Sequence, residues 1–250
     1  MLPSFLIIGA MKSGTTSLHT YLSSHPRVFM SELKELDYFN TPERTLDWYL
    51  AQFAPAEGRS DLIAVGESSP NYTKFGASPG VPQRIHALIP DVKMVYIMRD
   101  PIARIRSHYR HLAREGSVHR SLDYLVRRHE GFVHTSSYAA QLEKYFEVFN
   151  RDQILLLMME ELEDGGSGLA KVHDFLGLGA VAADASFPHE WSSPEPLTTP
   201  AWKRLLSLNR RSLSADLAPE TEELLREQLA PDVAALRQYL PADFDGWGIA

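Results

Sequence analysis

Four short apolar runs, separated by stretches of helical character, constrain this chain more than any other feature of its sequence. The runs are Phe5–Ile8, Leu62–Val65, Lys93–Met98 and Gln153–Met159. Continuous apolar runs of this length are typical of strands that are buried on both faces of a parallel sheet. Parallel strands need crossover connections, and the intervening helices supply them. The pattern therefore predicts an α/β fold in three layers, α/β/α, with a central parallel sheet.

Caps, prolines and 3.6-residue periodicity indicate where the helices lie. Helices are predicted over Val81–Leu88 and Tyr138–Phe149, and others are predicted to begin at Pro42, Pro101, Pro219 and Pro231. Thr41 and Asp100 stand in the cap position before the first two of these prolines. The helix after Asp100 has an apolar stripe that is expected to face the core, formed by Ile102, Ile105, Tyr109 and Leu112.

The length of 250 residues suits one large α/β domain, and we predict a single domain over residues 1–250. Ligands of open α/β sheets bind beyond the carboxyl ends of the strands. That rule places the expected site near Gly9, Gly66, Arg99 and Glu160. The stretch Asp184–Pro200 contains four prolines, and we predict a long surface loop there that could act as a substrate lid.

Composition excludes several classes of function. Lysine and arginine total 25 against 32 aspartates and glutamates, and the net charge of −7 argues against a general nucleic-acid binder. The absence of cysteine excludes a disulfide framework, a cysteine-ligated zinc and a cysteine nucleophile. The longest early apolar run, residues 5–10, is too short to span a membrane. We therefore expect a cytoplasmic protein with no membrane span.

The strongest functional signal is the segment of residues 9–16, GAMKSGTT, directly after the first predicted strand. Its glycines let backbone N–H groups converge on an anion, and the N-terminus of the helix that follows favours negative charge. The Gly-x4-Gly spacing matches the P-loop of nucleotide-binding proteins, but Lys12 lies two residues before Gly14 instead of directly after it. We interpret the segment as a P-loop-type phosphate-binding loop, with a plain strand-to-helix turn as the alternative.

Three further positions are candidates for chemistry. Arg99 ends a predicted strand, where an arginine can bind phosphate or form a structural ion pair. Ser107 lies on the next helix, opposite its apolar stripe, and can face either solvent or a ligand. Glu35 and Asp37 lie beside the aromatic residues at 38 and 39. Partial burial against those rings would raise the pKa of a carboxylate toward the range of a general base, and a solvated pair is the alternative.

Other polar segments give weaker signals. Residues 66–72, GESSPNY, have the composition of a turn. The ten histidines show no metal-ligand spacing, and His108 and His111 have no third ligand nearby in the sequence. The G-x-S-x-G motif of serine hydrolases is absent. The sequence therefore predicts neither a metal site nor a serine hydrolase.

Together these motifs resemble the sulfotransferases that use 3′-phosphoadenosine 5′-phosphosulfate (PAPS), above all the heparan-sulfate glucosaminyl N- and O-sulfotransferases and their bacterial relatives. The resemblance runs from Phe5 to about Gly177. Residues 12–16, KSGTT, resemble the family's 5′-phosphosulfate loop, and Arg99 with Ser107 resembles its 3′-phosphate pair. Residues 34–39, KELDYF, are similar to the segment that carries its catalytic glutamate. Residues 138–142, 154–162 and 173–177 are similar to its later elements.

The resemblance implies a PAPS-dependent sulfotransferase that moves a sulfuryl group in line to a hydroxyl or amine. Its acceptor would be a glycan or a small molecule, with carbohydrate favoured. Glu35 is implied as the base, and Lys12 as the cation that neutralises charge on the bridging oxygen. The implied cofactor-binding residues are Lys12, Ser13, Gly14, Thr15, Thr16, Ser17, Arg99 and Ser107. No metal is implied, because lysine, arginine and N–H donors would hold the leaving bisphosphate.

Two departures from the family pattern are visible. Many heparan-type members have a lysine after the glutamate of the 66–72 segment, where this chain has Ser68. The family's late cofactor-covering loop is not recognisable, and its candidates here are Lys203, Arg204, Arg210 and Arg211.

Two alternatives stay open from the sequence. One is a P-loop kinase or nucleotide hydrolase, which needs an acidic Mg²⁺ ligand after a strand and finds only Asp100, which opens a helix. The other is a non-catalytic nucleotide-binding protein of the same fold.

Overall fold

The apolar runs form a parallel sheet of five strands in the computed structural model, which describes residues 1–74, 80–163, 167–181, 187–188 and 213–250. The strands are β1 (Phe5–Gly9), β2 (Val28–Met30), β3 (Ala64–Ser68), β4 (Lys93–Met98) and β5 (Ile154–Met158). Their order across the sheet is β2-β3-β1-β4-β5. Every residue of β1 and all but the first residue of β4 are buried, as expected for strands that are covered on both faces. The predicted α/β fold with a central parallel sheet is confirmed.

The helices lie between and after the strands. Within the described residues they are α1 (Thr15–Ser23), α2 (Leu46–Ala51), α3 (Val81–Leu88), α4 (Pro101–Arg114), α5 (Leu122–Val126), α6 (Gly131–Ser136), α7 (Tyr138–Phe146), α8 (Met159–Glu163), α9 (Ser167–Leu176) and α10 (Pro219–Leu236). Short 3-10 turns cover Tyr38–Asn40 and Pro70–Thr73. The helix predicted over Val81–Leu88 and the start predicted at Pro101 are confirmed.

Two strand predictions need correction. β3 begins and ends later than predicted, so Gly66 lies inside the strand and not at its carboxyl end. Its pairing partners are Phe5 of β1 and Met30 of β2. The three-residue strand β2 was not predicted, because a run this short has no detectable alternation.

Three helix predictions also need correction. The helix expected over Tyr138–Phe149 ends at Phe146. The helix expected from Pro42 begins at Leu46, and its cap is Thr45, whose Oγ1 accepts a hydrogen bond from the Trp48 N–H at 3.2 Å. The separate helices expected from Pro219 and Pro231 are one helix, α10, with Pro231 inside it. Its buried residues are spaced at helical intervals on both sides of the proline: Thr221, Leu225, Leu229, Val233 and Leu236. Continuous packing of this face therefore outweighs the local cost of the proline.

The described residues form two compact units. The first takes Met1–Arg99 with Ala140–Glu190, and the second takes Asp100–Ala139 with Trp191–Ala250. In the first, α1 and α9 contribute to the same apolar cluster as the sheet; the cluster includes Phe5, Ile7, Leu18, Leu22, Val95, Ile97, Leu157, Val172 and Leu176. In the second, the stripe predicted on α4 is buried with residues of α5, α6 and α10. The single domain over residues 1–250 stays a prediction.

Candidate active site

The loop of residues 9–16 joins β1 to α1 and begins at a position that only glycine can occupy. A Cβ added to Gly9 would lie 2.1 Å from Thr73 Oγ1 and 2.6 Å from Tyr96 Cε2. Thr73 Oγ1 is itself committed, because it donates to the Ile8 carbonyl at 2.8 Å. The loop therefore leaves the strand through a slot between Thr73, on the 3-10 turn after β3, and Tyr96 on β4.

The N-terminus of α1 is open to an anion. Gly14 is the cap residue with a left-handed φ of 88°, and no side chain caps the helix within the described part of the chain. The first turn, residues 15–17, holds no acidic side chain, and its N–H groups have no intrahelical partner. The buried Ser13 Oγ also lacks a hydrogen-bond partner among the described residues. Converging donors of this kind suit a phosphate or sulfate oxygen.

Lys12 and Arg99 bring positive charge to this loop. Lys12 has a left-handed backbone, with a φ of 69°, and is half-buried. Arg99 follows directly after β4, and its Nη1 donates to the Lys12 carbonyl at 3.4 Å. The predicted loop residues and Arg99 thus meet at the carboxyl edge of the sheet, beside β1. The strand order reverses at β1, which is where open α/β sheets bind ligands.

Glu35 is held at the same edge by the end of β3. Its backbone N–H donates to the Ser68 carbonyl at 2.9 Å, which extends the contacts between the chain after β2 and β3. Its side chain is 44% exposed, and Oε1 lies 2.9 Å from Lys34 Nζ. Of the two carboxylates considered for partial burial against the rings at 38 and 39, Glu35 is therefore solvated, and only Asp37 is half-buried. An exposed carboxylate at this edge is accessible to an acceptor.

The carboxylate that the aromatic residues enclose is Glu67, on β3. It is fully buried and accepts three hydrogen bonds, from Tyr49 Oη at 3.0 Å, Tyr72 Oη at 2.8 Å and Ser69 Oγ at 2.6 Å. Burial raises the pKa of Glu67 to about 7, against the lowering effect of these three donors. The composition of residues 66–72 predicted only a turn and so missed this residue. The detectable signal is a glutamate inside a strand with a tyrosine five residues later.

Asp37 is more buried than Glu35 and less buried than Glu67. It is half-buried, its Oδ2 accepts from Asn71 Nδ2 at 2.9 Å, and its N–H donates to Ser69 Oγ at 3.0 Å. Burial raises the pKa of Asp37; the Asn71 hydrogen bond opposes this effect and the neighbouring Glu35 carboxylate adds to it. Asp37 therefore takes part in the hydrogen bonds that hold the segment of residues 35–40 against the turn after β3.

Ser107 belongs to the second unit, where it is half-buried on α4. Two arginines of this helix are held by contacts within the second unit. Arg104 is fully buried and donates to Ser136 Oγ at 2.6 Å and to the Phe132 carbonyl at 2.9 Å. Arg106 is paired with Glu222 at 2.7 Å. Neither is therefore a free cation on the surface.

Other positions predicted near the edge behave differently. Glu160 is exposed on α8, one residue beyond Met159. Ser68, which stands where many heparan-type enzymes have lysine, is fully buried at the end of β3, and its Oγ has no hydrogen-bond partner among the described residues. The proposed lid over Asp184–Pro200 lies outside the described residues except for Phe187 and Pro188. The candidates Lys203, Arg204, Arg210 and Arg211 lie outside them too.

The described residues contain no group of three or more histidine, aspartate or glutamate side chains that could hold a metal ion. None of their helices is both long enough and apolar enough for a membrane span.

Comparison with known proteins agrees with this geometry. A family model described as the sulfotransferase domain matches residues 2–189. The chain is 29% identical over 174 residues to the membrane-associated sulfotransferase kil1 of Dictyostelium discoideum, covering 67% of this chain and 34% of that protein. It is 28% identical over 203 residues to the bifunctional heparan sulfate N-deacetylase/N-sulfotransferase 2 of Homo sapiens, covering 71% of this chain and 22% of that protein.

A solved structure extends the similarity to nearly the whole chain. The crystal structure of a sulfotransferase from Alicyclobacillus acidocaldarius aligns with a TM-score of 0.74 and 28% identity, covering 99% of each chain. The two curated relatives named above are much longer than this chain, which spans about a third or less of the length of each. The family match covers most of the sequence, and the resemblance to sulfotransferases is confirmed. This chain therefore belongs to the sulfotransferase domain family.

Proposed function

We propose that this enzyme transfers the sulfuryl group of PAPS to a hydroxyl or amine of a carbohydrate acceptor. The observation that carries the proposal is the uncapped N-terminus of α1, which lies beside Lys12 and Arg99 at the sheet edge where β3 holds Glu35. An anion-binding turn, two cations and an accessible carboxylate are the groups that such a transfer needs.

The residues of the loop fit the donor. The N–H groups of residues 15–17 and the unpartnered Ser13 Oγ would bind the 5′-phosphate. Lys12 would neutralise the charge that grows on the bridging oxygen. Arg99 would bind the 3′-phosphate, and so would Ser107, which the resemblance alone assigns. Bound PAPS supplies the sulfuryl group and leaves as adenosine 3′,5′-bisphosphate.

Glu35 would accept the proton of the attacking hydroxyl or amine. Its carboxylate is exposed, and its backbone is tied to Ser68, so the group is both reachable and positioned. Lys34 lies 2.9 Å from Oε1 and leaves Oε2 for the acceptor proton.

The acceptor class is inferred from relatives. The human relative is named for heparan sulfate, and this similarity favours a glycan. The buried Ser68 contributes no positive charge at the position where many heparan-type enzymes have lysine. A sparsely sulfated glycan, such as N-desulfated heparan sulfate, therefore fits this chain better than a densely sulfated one. A cytoplasmic location remains part of the proposal.

Calorimetric titration with adenosine 3′,5′-bisphosphate separates donor binding from chemistry. Loss of a charge-assisted hydrogen bond costs about 1.5–3 kcal/mol, so Arg99→Ala should weaken binding about 10- to 100-fold. Arg59→Ala is the matched control, because Arg59 is exposed, pairs with Asp61 and precedes the opposite end of β3. Glu35→Gln should bind the bisphosphate as the wild type does. Its turnover with PAPS and N-desulfated heparan sulfate should fall about 10²–10⁴-fold.

Two outcomes would contradict the proposal. Tighter binding of ATP with Mg²⁺ than of the bisphosphate would favour a kinase. Full turnover by Glu35→Gln would remove Glu35 from the role of base while leaving the donor site intact.

A further inference from the structure

Glu67 has a set of contacts that the proposed chemistry does not use. It is a fully buried carboxylate, and all three of its hydrogen-bond donors are hydroxyl groups. A buried charge is expensive unless it is well satisfied, so a carboxylate in this position needs a purpose beyond packing.

Each of the three hydroxyl-bearing residues also touches the segment of residues 35–40. Ser69 Oγ accepts from the Asp37 N–H at 3.0 Å, and Tyr72 Oη accepts from the Phe39 N–H at 3.5 Å. The Tyr49 ring stacks on Tyr38, with centroids 4.3 Å apart and an interplanar angle of 10°. Glu67 is therefore linked to the segment that carries Glu35 through three intermediate residues, Ser69, Tyr72 and Tyr49.

The direction of these bonds depends on Glu67. A hydroxyl group has one hydrogen to donate. Because Ser69 and Tyr72 donate theirs to the carboxylate, their oxygen lone pairs are left to accept from the Asp37 and Phe39 N–H groups. Without an acceptor at position 67, those hydrogens could turn toward the amides and break the contacts.

The segment needs such fixing because its backbone is strained. Glu35 has a φ of 61° and Asp37 a φ of 47°, both in the left-handed region that disfavours residues with a Cβ. Two such residues within three positions persist only where surrounding contacts enforce them. The contacts on this segment include those from Ser68, Ser69, Asn71 and the tyrosines around Glu67, together with Arg84, whose Nε donates to the Phe39 carbonyl at 2.7 Å.

We propose that Glu67 is a positioning residue for the transfer reaction: through Ser69 and Tyr72 it holds the 35–40 segment in the conformation that presents Glu35 to the acceptor. The proposal rests on Glu35 acting as the base. Glu67 itself touches neither donor nor acceptor, because it is fully buried.

The test is a double-mutant cycle on the full chain. Ser69→Ala removes the hydrogen bond to the Asp37 N–H. Tyr49→Phe is the control, because it also removes a hydroxyl donor to Glu67, but the hydrogen bonds described above do not link that hydroxyl to an N–H of the segment. A misplaced base can cost about 100-fold. Ser69→Ala should therefore lower kcat about 10- to 100-fold with PAPS and N-desulfated heparan sulfate, and Tyr49→Phe less than tenfold. Bisphosphate affinity should change by less than tenfold in both.

The cycle separates positioning from general damage. In a Glu35→Gln background, Ser69→Ala should cause no further fall in turnover, because there is no base left to misplace. Multiplying effects would overturn the proposal for Glu67. An unchanged Glu35→Gln turnover would instead overturn the assignment of the base.

Amide hydrogen exchange gives a second readout that needs no acceptor. Ser69→Ala and Glu67→Gln should speed exchange at Glu35, Asp37 and Phe39 and leave the loop of residues 9–16 unchanged. Tyr49→Phe should have a smaller effect on the same amides. Exchange that rises equally in the loop and the segment, or in neither, would overturn the proposal.

Discussion

The two segments that frame the site are held in place by different physics. The loop of residues 9–16 is held by backbone geometry: a glycine that fits a slot, a left-handed cap and the start of a helix. The segment of residues 35–40 is held by side chains that come from β3 and the turn after it, through Glu67, Ser69 and Tyr72. The loop is held through the close fit of its own backbone against Thr73 and Tyr96, whereas the segment is held by hydrogen bonds from side chains 30 or more positions away.

This difference has a chemical consequence. A loop fixed by its backbone offers N–H groups to an anion whatever the pH, because amides do not titrate. A segment fixed through a buried carboxylate changes when that carboxylate gains a proton. The donor half of the site should therefore resist pH changes that disturb the base half.

The largest effect is expected from Gly9→Ala, which breaks the loop. Its Cβ would come within 2.1 Å of Thr73 Oγ1 and 2.6 Å of Tyr96 Cε2, and both of these side chains are buried. Overpacking of this kind costs about 1–3 kcal/mol or more. Urea denaturation should show a loss at the top of that range. A stability equal to the wild type would mean that the slot around Gly9 opens easily.

A pH effect of similar size on stability is expected from Glu67, which supports the segment of residues 35–40. Its folded pKa of about 7 lies above the ordinary 4.5, so the folded state holds this proton more tightly than the unfolded state. The free energy of unfolding should therefore fall as the pH rises from about 4.5 to about 7, by about 3 kcal/mol for this group.

The measurement isolates Glu67 by difference. Burial also raises the pKa of Asp37 and lowers that of His25, so both add to the pH dependence of stability, and unfolding is followed for the wild type and Glu67→Gln at each pH. The difference between the two should change by about 3 kcal/mol between pH 4 and pH 8 and be flat above that. A difference that does not vary with pH would show that Glu67 keeps its ordinary pKa in the fold.

The sequence predicted the loop well because its signals are local. Gly9 ends a buried strand, and Lys12 and Gly14 follow in the turn that leads into α1, as their order in the sequence predicted. The strand Lys93–Met98 was predicted to the residue, since an apolar run followed directly by Arg99 marks its own end. Arg99 then reaches the loop because adjacent parallel strands end at the same edge.

The base segment was only half predicted, for a matching reason. Glu35 was identified by resemblance and Asp37 as a candidate for partial burial, but the fully buried carboxylate, Glu67, was not predicted. The polar residues Glu67 and Ser68 made β3 look shorter than it is, so a buried glutamate was taken for part of a turn. What makes it buried is contact with Tyr49 and Tyr72, and no local pattern around residue 67 reveals the first of these.

The smallest effect is expected from Gly14→Ala, which sharpens the account of the loop. Gly14 has a φ of 88°, yet an added Cβ would meet Met159 Cγ at an ordinary 3.7 Å, so the cost is backbone strain alone, about 1–2 kcal/mol. Gly58→Ala is the matched control, because Gly58 has a φ of 77° and open space around it. Both variants should lose similar stability in urea denaturation.

Bisphosphate affinity is the measurement that tests whether Gly14 matters for binding as well as for folding. If Gly14→Ala keeps its left-handed backbone, its strain is present in both the free and the bound protein, and bisphosphate affinity should change by less than tenfold, as for Gly58→Ala. A larger loss in Gly14→Ala alone, at equal stability, would show that the loop escapes the strain by changing its backbone. The loop would then depend on its glycine for binding as well as for folding, because the N–H groups would no longer converge on the anion.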